Sequence, residues 1–566
     1  MIRAYRWTIA IVGLGLSGVL AGCGLYAKDA DKAACRTVDS GWKAALGSDA
    51  NFDVAYRPFA PRAEEPSGAI QVGSKLIQIG AGEPQKLTLD ECLQIAFRNS
   101  RSFQTRKETL YAQALDLASS RRDWNFTKFG GSLTGKASDQ FTEPSTEAQA
   151  GSASGNLTWA EKLYDGGLIT LGAGLDLSSD LLGWKSTTLG SLVQANFTQP
   201  LMRGAWRGLA YEEQYRKERD FLFAVFDYER FTQTFSADVV GRYYAVLQRR
   251  DQLENAKETI GRLRRTLTLT KVLVKGGQRS RVEQDQAEQR LLDAEVRYEA
   301  DQQSYRDSLD EFKLFLGLPI RASVEVDYPG ALAALNQAGP QAISLDEPNA
   351  IDLSLSARPD VLTQRAAARD AERDVDVAAD AFLPQLDVAL GISAQGTPPH
   401  FADRIRWAEH TRKAEVKFNY DLDQTLNRDK YRKAMIAMEK ARRDLSEFTD
   451  KVRMEVRQSY RSLMQSRKTY ELQLRSVELA KRRQKLAVLE QTAGQASARD
   501  VLDADEALST AQNGLTTALV NYTTTRMRFL ASLGMVVVDG NGRVRERSVP
   551  QKFDRMERPY PYVAGK

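Results

Sequence analysis

Residues 239 to 317 and 456 to 534 are one segment written twice, offset by 217 positions without a gap. The apolar spine Val239, Val246, Leu253, Ile260 falls on Val456, Leu463, Tyr470, Val477. Tyr243 meets Tyr460, Gln248 meets Gln465 and Arg250 meets Arg467. Gly277-Gln278 meets Gly494-Gln495, Ser280 meets Ser497, and Leu291, Tyr305, Phe312 and Gly317 recur at 508, 522, 529 and 534. A period this long is not a solenoid array but a tandem duplication of one supersecondary unit.

The repeated unit is dominated by helix. Residues 205 to 275 and 428 to 493 contain no proline and few glycines, and the spine recurs every seven residues. That spacing is the one that keeps a seam buried in left-handed coiled packing. At about 1.5 Å per residue each run spans about 100 Å. Gly277 and Gly494 break the helix at hairpin tips, and a second helix returns to Gly317 and Gly534. Shorter helices open each unit, one after Leu87-Thr88-Leu89-Asp90-Glu91 and one over Ile351 to Leu355.

Between the opening helix and the hairpin the period changes to two. Ile169, Leu171, Ala173, Leu175 and Leu177 alternate with Thr170, Gly172, Gly174, Asp176 and Ser178; Val193, Ala195 and Phe197 alternate with Gln194, Asn196 and Thr198. In the second unit Leu386, Val388, Leu390 and Ile392 alternate with small or polar residues, as do Ala414, Val416, Phe418, Tyr420 and Leu422. Each such strand has one apolar and one polar face. That pattern fits a sandwich as well as a barrel; with Glu415, Lys417 and Asp423 assigned to the polar face, it also suits strands with lipid on one side and a water-filled lumen on the other.

The N-terminus reads as an address. Arg3 and Arg6 precede the apolar stretch Thr8 to Val19, followed by Leu20-Ala21-Gly22-Cys23. The cysteine directly after small residues resembles the lipobox of bacterial lipoproteins, which implies cleavage before Cys23 and its acylation. Several acyl chains anchor stably where one binds marginally. Gly24 and Leu25, rather than Asp, follow Cys23, which by the same resemblance favours the outer membrane. Gly13-Leu14-Gly15-Leu16-Ser17-Gly18 matches the dinucleotide fingerprint as a string, but no strand precedes it and the signal is removed. No run of about 20 apolar residues follows, so any membrane crossing has to be a β-barrel. Cys35 and Cys92 could pair in an oxidising compartment, although Cys92 sits on an amphipathic helix as a small buried thiol would.

Composition narrows the function classes. Charged residues make up 27% and aromatic residues 8%, with 79 basic and 74 acidic side chains interleaved. No basic block suggests nucleic acid as a partner. The only histidines, His400 and His410, are assigned to a loop between strands. No metal-ligand spacing, nucleophile elbow or phosphate loop appears, so neither cofactor, metal nor catalytic residue is expected.

Several segments resemble the TolC-like outer-membrane efflux proteins, over most of 87 to 534. They are Leu87 to Ala96 with Asn99, Gln199-Pro200-Leu201-Met202-Arg203-Gly204 at a strand-to-helix corner, and Leu383-Pro384-Gln385 at a helix-to-strand corner. The most specific is Gly494 to Ala504, a glycine turn followed by Asp500-Val-Leu-Asp503-Ala504. The resemblance implies a homotrimer whose strands close one barrel in the outer membrane and whose helices continue it through the periplasm. It implies an inner-membrane transporter and a periplasmic adaptor (membrane fusion) protein as partners. Carried over by position, Asp500 and Asp503 would ring the periplasmic aperture as an acidic gate, and Glu283 would bond neighbouring coils. The chain departs from the family at Ala496, where an arginine latch can stand, leaving Arg499 or Arg279 as substitutes. It departs again at Asp421, where proline is frequent, and in the extra alternating segments of about 128 to 199, against an implied four strands per chain.

These readings divide the chain into a signal peptide (1–22), an N-terminal linker or extension (23–86), a first repeat (87–318), a linker (319–350), a second repeat (351–534) and a tail (535–566). Strands are expected at about 128–199 and 385–423, and helix hairpins at about 205–318 and 428–534. The fold class is an α+β membrane protein, a long antiparallel helical barrel continuous with a trimeric β-barrel. The alternative is a periplasmic coiled-coil scaffold or adaptor lipoprotein, which has no use for lipid-facing strands.

Overall fold

The computed structural model of the protein describes residues 23–46, 69–72, 75–78, 84–125, 128–142, 146–180, 187–205, 207–341, 343, 345–396, 410–493, 495–538 and 544–546. The signal segment, His400 and Gly494 lie outside these residues. The chain forms two compact units, one of residues 1–50, 110–225 and 364–445, the other of 51–109, 226–363 and 446–566.

In chain order the first repeat and what precedes it contain α1 (Cys23–Leu46), β1 (Ala69–Val72), β2 (Lys75–Gln78), β3 (Gln85–Leu87), α2 (Leu89–Asn99) and α3 (Arg101–Asn125). Then come β4 (Lys128–Thr142), β5 (Thr146–Lys162), β6 (Leu168–Asp180), β7 (Thr187–Pro200), α4 (Arg207–Ala210), α5 (Glu212–Lys275) and α6 (Arg281–Leu316). The rest of the chain has β8 (Val324–Val326), α7 (Tyr328–Ala338), α8 (Glu347–Ala357), α9 (Pro359–Asp380), β9 (Gln385–Gly396) and β10 (His410–Asn419). It ends with α10 (Thr425–Thr492), α11 (Ala498–Ser532), β11 (Val536–Val538) and β12 (Val544–Glu546).

The first unit is organised around a six-stranded antiparallel sheet in the order β10-β9-β7-β6-β5-β4. Its strands come from both repeats, four from the first and two from the second. The strand expected to reach Leu422 ends at Asn419. Asp423 therefore leaves the charged strand face: its Oδ1 accepts from Thr425 N at 3.0 Å and caps α10. His410 begins β10, paired with Ala394, and is not a loop residue. The segment read as an N-terminal linker or extension contributes α1, whose Ala34, Val38 and Trp42 are buried and whose Asp31 accepts from Tyr111 Oη at 2.5 Å.

The second unit holds the hairpin packing. Val239, Val246, Leu253 and Ile260 of α5 and Val456, Leu463 and Val477 of α10 are all buried. Val456 and Leu463 join Tyr522, Phe529 and Leu533 in one core cluster. The opening helix α2 has the capping box its sequence spells: Thr88 Oγ1 accepts from Glu91 N and Glu91 Oε2 accepts from Thr88 N at 2.9 Å. Cys92 in α2 is a free, fully buried thiol, and burial pushes its pKa upward. The segment 319–350 is more than a connector. Its β8 pairs in parallel with β3, and Tyr328 Oη donates to Asp251 at 2.8 Å.

Backbone bonds recur at the sequence offset. Gln278 N donates to Leu273 O at 2.9 Å and Gln495 N to Glu490 O at 2.8 Å; Leu318 N donates to Lys313 O at 2.9 Å and Met535 N to Leu530 O at 3.0 Å. Gly317 and Gly534 take left-handed φ of 75° and 73° at these helix ends. A Cβ at 317 would lie 2.1 Å from Asn99 O, one at 534 would lie 3.2 Å from Ala357 O, and one at Gly277 (φ 70°) would meet open space. Alanine at each position carries about 1–2 kcal/mol of left-handed strain, but only at 317 does it also strike backbone. The expected order of damage is therefore Gly317→Ala, then Gly534→Ala, then Gly277→Ala, read as urea midpoints in detergent. Equal losses at 277 and 317 would show that the contact with Asn99 is not rigid.

Candidate channel wall and hairpin tips

The sheet register sorts its side chains onto two faces. Val416 lies across from Val388, Leu390 from Phe197, Ala195 from Leu171, Leu171 from Trp159, and Trp159 from Phe129. That apolar face is open to solvent in the single chain, with Phe129 74%, Leu133 79%, Val416 68% and Phe418 64% exposed. The same face also bears Arg412 of the edge strand β10, across from Ile392, and Glu161, across from Ile169 near the end of β5. The opposite face carries Ser132, Asn156, Thr170, Asn196, Asp387, Glu415 and Lys417. Exposed apolar area of this kind marks a surface made for lipid or a partner.

Aromatic rings gather just past the strand ends in the same unit. Trp124 and Tyr211 meet edge to face at 5.0 Å, Tyr164 lies 5.3 Å from Tyr211, and Lys162 Nζ sits 5.1 Å over the Trp124 ring. Tyr211 is buried in this cluster, and Tyr164 is 41% exposed. The corner motif builds the strand-to-helix turn beside it. Pro200 ends β7 opposite Asp387, Leu201 N donates to Leu386 O at 2.8 Å, and Gly204 N donates to Asp380 Oδ2 at 2.8 Å. Gly204 turns the chain at φ 69°. The residues read from the sequence as a corner thus tie the first repeat's strand to the second repeat's α9–β9 turn.

At the hairpin tips, in the second unit, the expected gate residues have separate local duties. Asp500 is the N3 member of a capping box: its Oδ2 accepts from Ser497 N at 2.9 Å and from Ser497 Oγ at 2.7 Å. Those bonds hold its carboxyl below the usual range. Asp503 lies 3.9 Å from both Arg290 Nη2 and Arg499 Nε. Glu283 faces Ala498 N at 3.5 Å and Arg279 Nη1 at 3.9 Å, and Arg279 Nη2 donates to Ala496 O at 2.5 Å. Of the two arginines available in place of the family's latch, Arg279 bridges the two hairpin turns of one chain.

A ladder the sequence did not disclose joins α5 to α11 at seven-residue steps. Gln248 donates to Thr517 at 2.9 Å, Asn255 to Asn513 at 2.9 Å, and Arg262 Nε to Asp505 Oδ1 at 3.1 Å. Asp505 is 1% exposed and also accepts from Gln484 at 3.2 Å. Burial raises its pKa despite Arg262. Its partner lies 243 positions away. Only the heptad spacing of Gln248, Asn255 and Arg262 could have hinted at the seam.

A two-faced antiparallel sheet built from both repeats, with two long helical hairpins, defines the fold. The family described as outer membrane efflux protein matches residues 350–535. No curated protein sequence matches the chain. The fold is similar to the crystal structure of CusC (TM-score 0.58, 14% identity, covering 84% of this chain and 99% of that one). It is also similar to a membrane protein from Pseudomonas aeruginosa (0.59, 14%, 85% and 98%) and to the Campylobacter jejuni CmeC outer membrane channel (0.57, 14%, 87% and 95%). The family match covers residues 350–535, and over most of the chain the fold is similar to that of solved outer-membrane channels.

Proposed function

We propose that the protein is the outer-membrane channel of a tripartite efflux or type I secretion system, assembled as a trimer and without catalytic activity. The single observation that carries this reading is the largely apolar face running across all six strands, opposite a face bearing Asp387, Glu415 and Lys417. A wall between hydrocarbon and water gives both faces of such a sheet a use. Acylation of Cys23 would add an anchor in the same leaflet. A passive tunnel has no energy source, so an inner-membrane transporter must load it and a periplasmic adaptor must grip the hairpin tips. The exposed Val272, Val282 and Leu486 toward the tip ends of their helices suit such helix-to-helix docking.

The aperture is the place for selectivity. Asp503 remains near half exposed, and three copies of it with Asp500 would form a ring that favours cations. The test is a planar-bilayer recording of the protein extracted from outer membranes. Discrete ion-conducting steps are expected, with cation preference that falls when Asp503→Asn and Asp500→Asn are combined. Retained preference would place the selective ring elsewhere, and a protein that forms no pore would overturn the channel reading. Asp500→Asn keeps an acceptor for Ser497, so the cap survives and the comparison reports charge.

A further inference from the structure

We infer that three copies close an eighteen-stranded barrel in which β10 of each chain pairs with β4 of the next. The inference rests on the trimeric channel proposed above and adds who pairs with whom and how wide the wall is. Among the described residues of one chain β10 and β4 are the edges of the sheet, each with a neighbouring strand on one side only. A lipid-facing edge is untenable, because every backbone N–H and C=O in hydrocarbon needs a partner. Six strands are too few to close on themselves, since the smallest barrels have eight. Further copies must supply the missing neighbours.

Strand parity selects the joint. All five pairings in the sheet are antiparallel, so across six strands β4 runs opposite to β10. Copies related by rotation about the barrel axis therefore set β4 beside β10 in the antiparallel sense, with apolar faces outward on both. An odd number of strands would have forced a parallel joint. The edges also match in character: Phe129 and Leu133 lie on the apolar face of β4 as Val416 and Phe418 do on β10. Ser132 and Thr134 on one edge and Lys413, Glu415 and Lys417 on the other then face water.

The strand count sets the bore. With strands about 4.8 Å apart and tilted by about 40°, eighteen give a backbone diameter of about 36 Å, against about 24 Å for twelve. The additional width comes from the β4–β5 hairpin, residues 128–162. The barrel is thus of the size that leaves an aqueous channel after the inward side chains are counted, and it suits bulky hydrated cargo.

Cysteine cross-linking tests the joint. Ser132→Cys is combined in turn with Thr411→Cys, Lys413→Cys, Glu415→Cys, Lys417→Cys and Asn419→Cys in the full chain carrying Cys35→Ser. Isolated outer membranes are oxidised with copper phenanthroline, and each single-cysteine variant is run alongside. A covalent ladder ending at trimer is expected at one β10 position and weakly at its neighbours, but not in the single variants. A protein that is trimeric by mass in detergent yet forms no ladder at any of the five positions would overturn the β4–β10 joint while leaving the channel intact. A monomer in detergent would overturn both.

Discussion

Ala195→Arg is expected to remove the protein from the outer membrane almost completely, whereas Asn196→Arg, one residue away, is expected to leave it there. Ala195 sits mid-strand on the apolar face, across from Leu171 on one side and Ile392 on the other. Asn196 lies on the opposite face, across from Thr170 and Gly391. An arginine facing the bilayer midplane costs about 2–4 kcal/mol. A trimer carries three of them, so the assembled barrel loses about 6–12 kcal/mol on that scale, enough to prevent assembly of a marginally stable wall. The same charge in a watery lumen is solvated, and its effect is confined to conductance. The measurement is the amount of trimer in the outer-membrane fraction for the two variants at equal synthesis. Equal insertion would mean that Ala195 does not face lipid, and the soluble scaffold would then become the better reading.

That contrast shows which parts of the fold could be read directly. The hairpins were legible because a heptad spine is long and redundant: Val239 to Ile260 and Val456 to Val477 state the same seam twice. The corner and tip turns were legible because glycine at a left-handed position and serine at an N-cap have few other uses. Strand number was not legible. In β4 and β5 the positions on the apolar face include Gly131, Gly135, Gly151 and Gly155. Glycine satisfies an apolar face without registering as hydrophobic, so the alternation fades where the extra hairpin lies. Short β3 and β8 carry too few alternations to stand out, and their pairing spans the whole first repeat. The tip carboxylates divide along the same line. Ser497-Ala498-Arg499-Asp500 spells a capping box and could have been read as one. Burial of Asp505 against Arg262 is a tertiary fact that no local pattern contains.

Arg358→Met is expected to be the most destabilising single charge removal in the helical unit, at about 3–5 kcal/mol. The Arg358 side chain is 4% exposed and makes bidentate contact with Asp360, Nε at 3.0 Å and Nη2 at 2.7 Å. Its Nη1 also reaches Glu455 Oε2 at 2.8 Å and the Ser532 carbonyl at 3.3 Å where α11 ends. Arg230 approaches the same two carboxylates at 3.6 Å and donates to the Ala531 carbonyl. Removing Arg358 leaves Asp360 mostly buried with only the more distant cation. Lysine cannot replace the planar fork, so Arg358→Lys should recover little. Arg358→Met combined with Asp360→Leu should recover much of the loss, because the stranded buried carboxylate is then gone as well. Acid sensitivity supplies an independent readout. Burial alone would raise Asp360, but Arg358, together with Arg230 and the Val361 N–H, holds the carboxyl below its ordinary range. A depressed carboxylate contributes stability above its unfolded pKa and loses it as pH falls through the folded value. The wild type should therefore weaken as pH drops below the ordinary aspartate range, and the double variant should show less of that weakening. Urea midpoints in detergent at neutral and acid pH measure both effects. A single variant within about 1 kcal/mol of wild type would show that Arg230 alone neutralises the cluster.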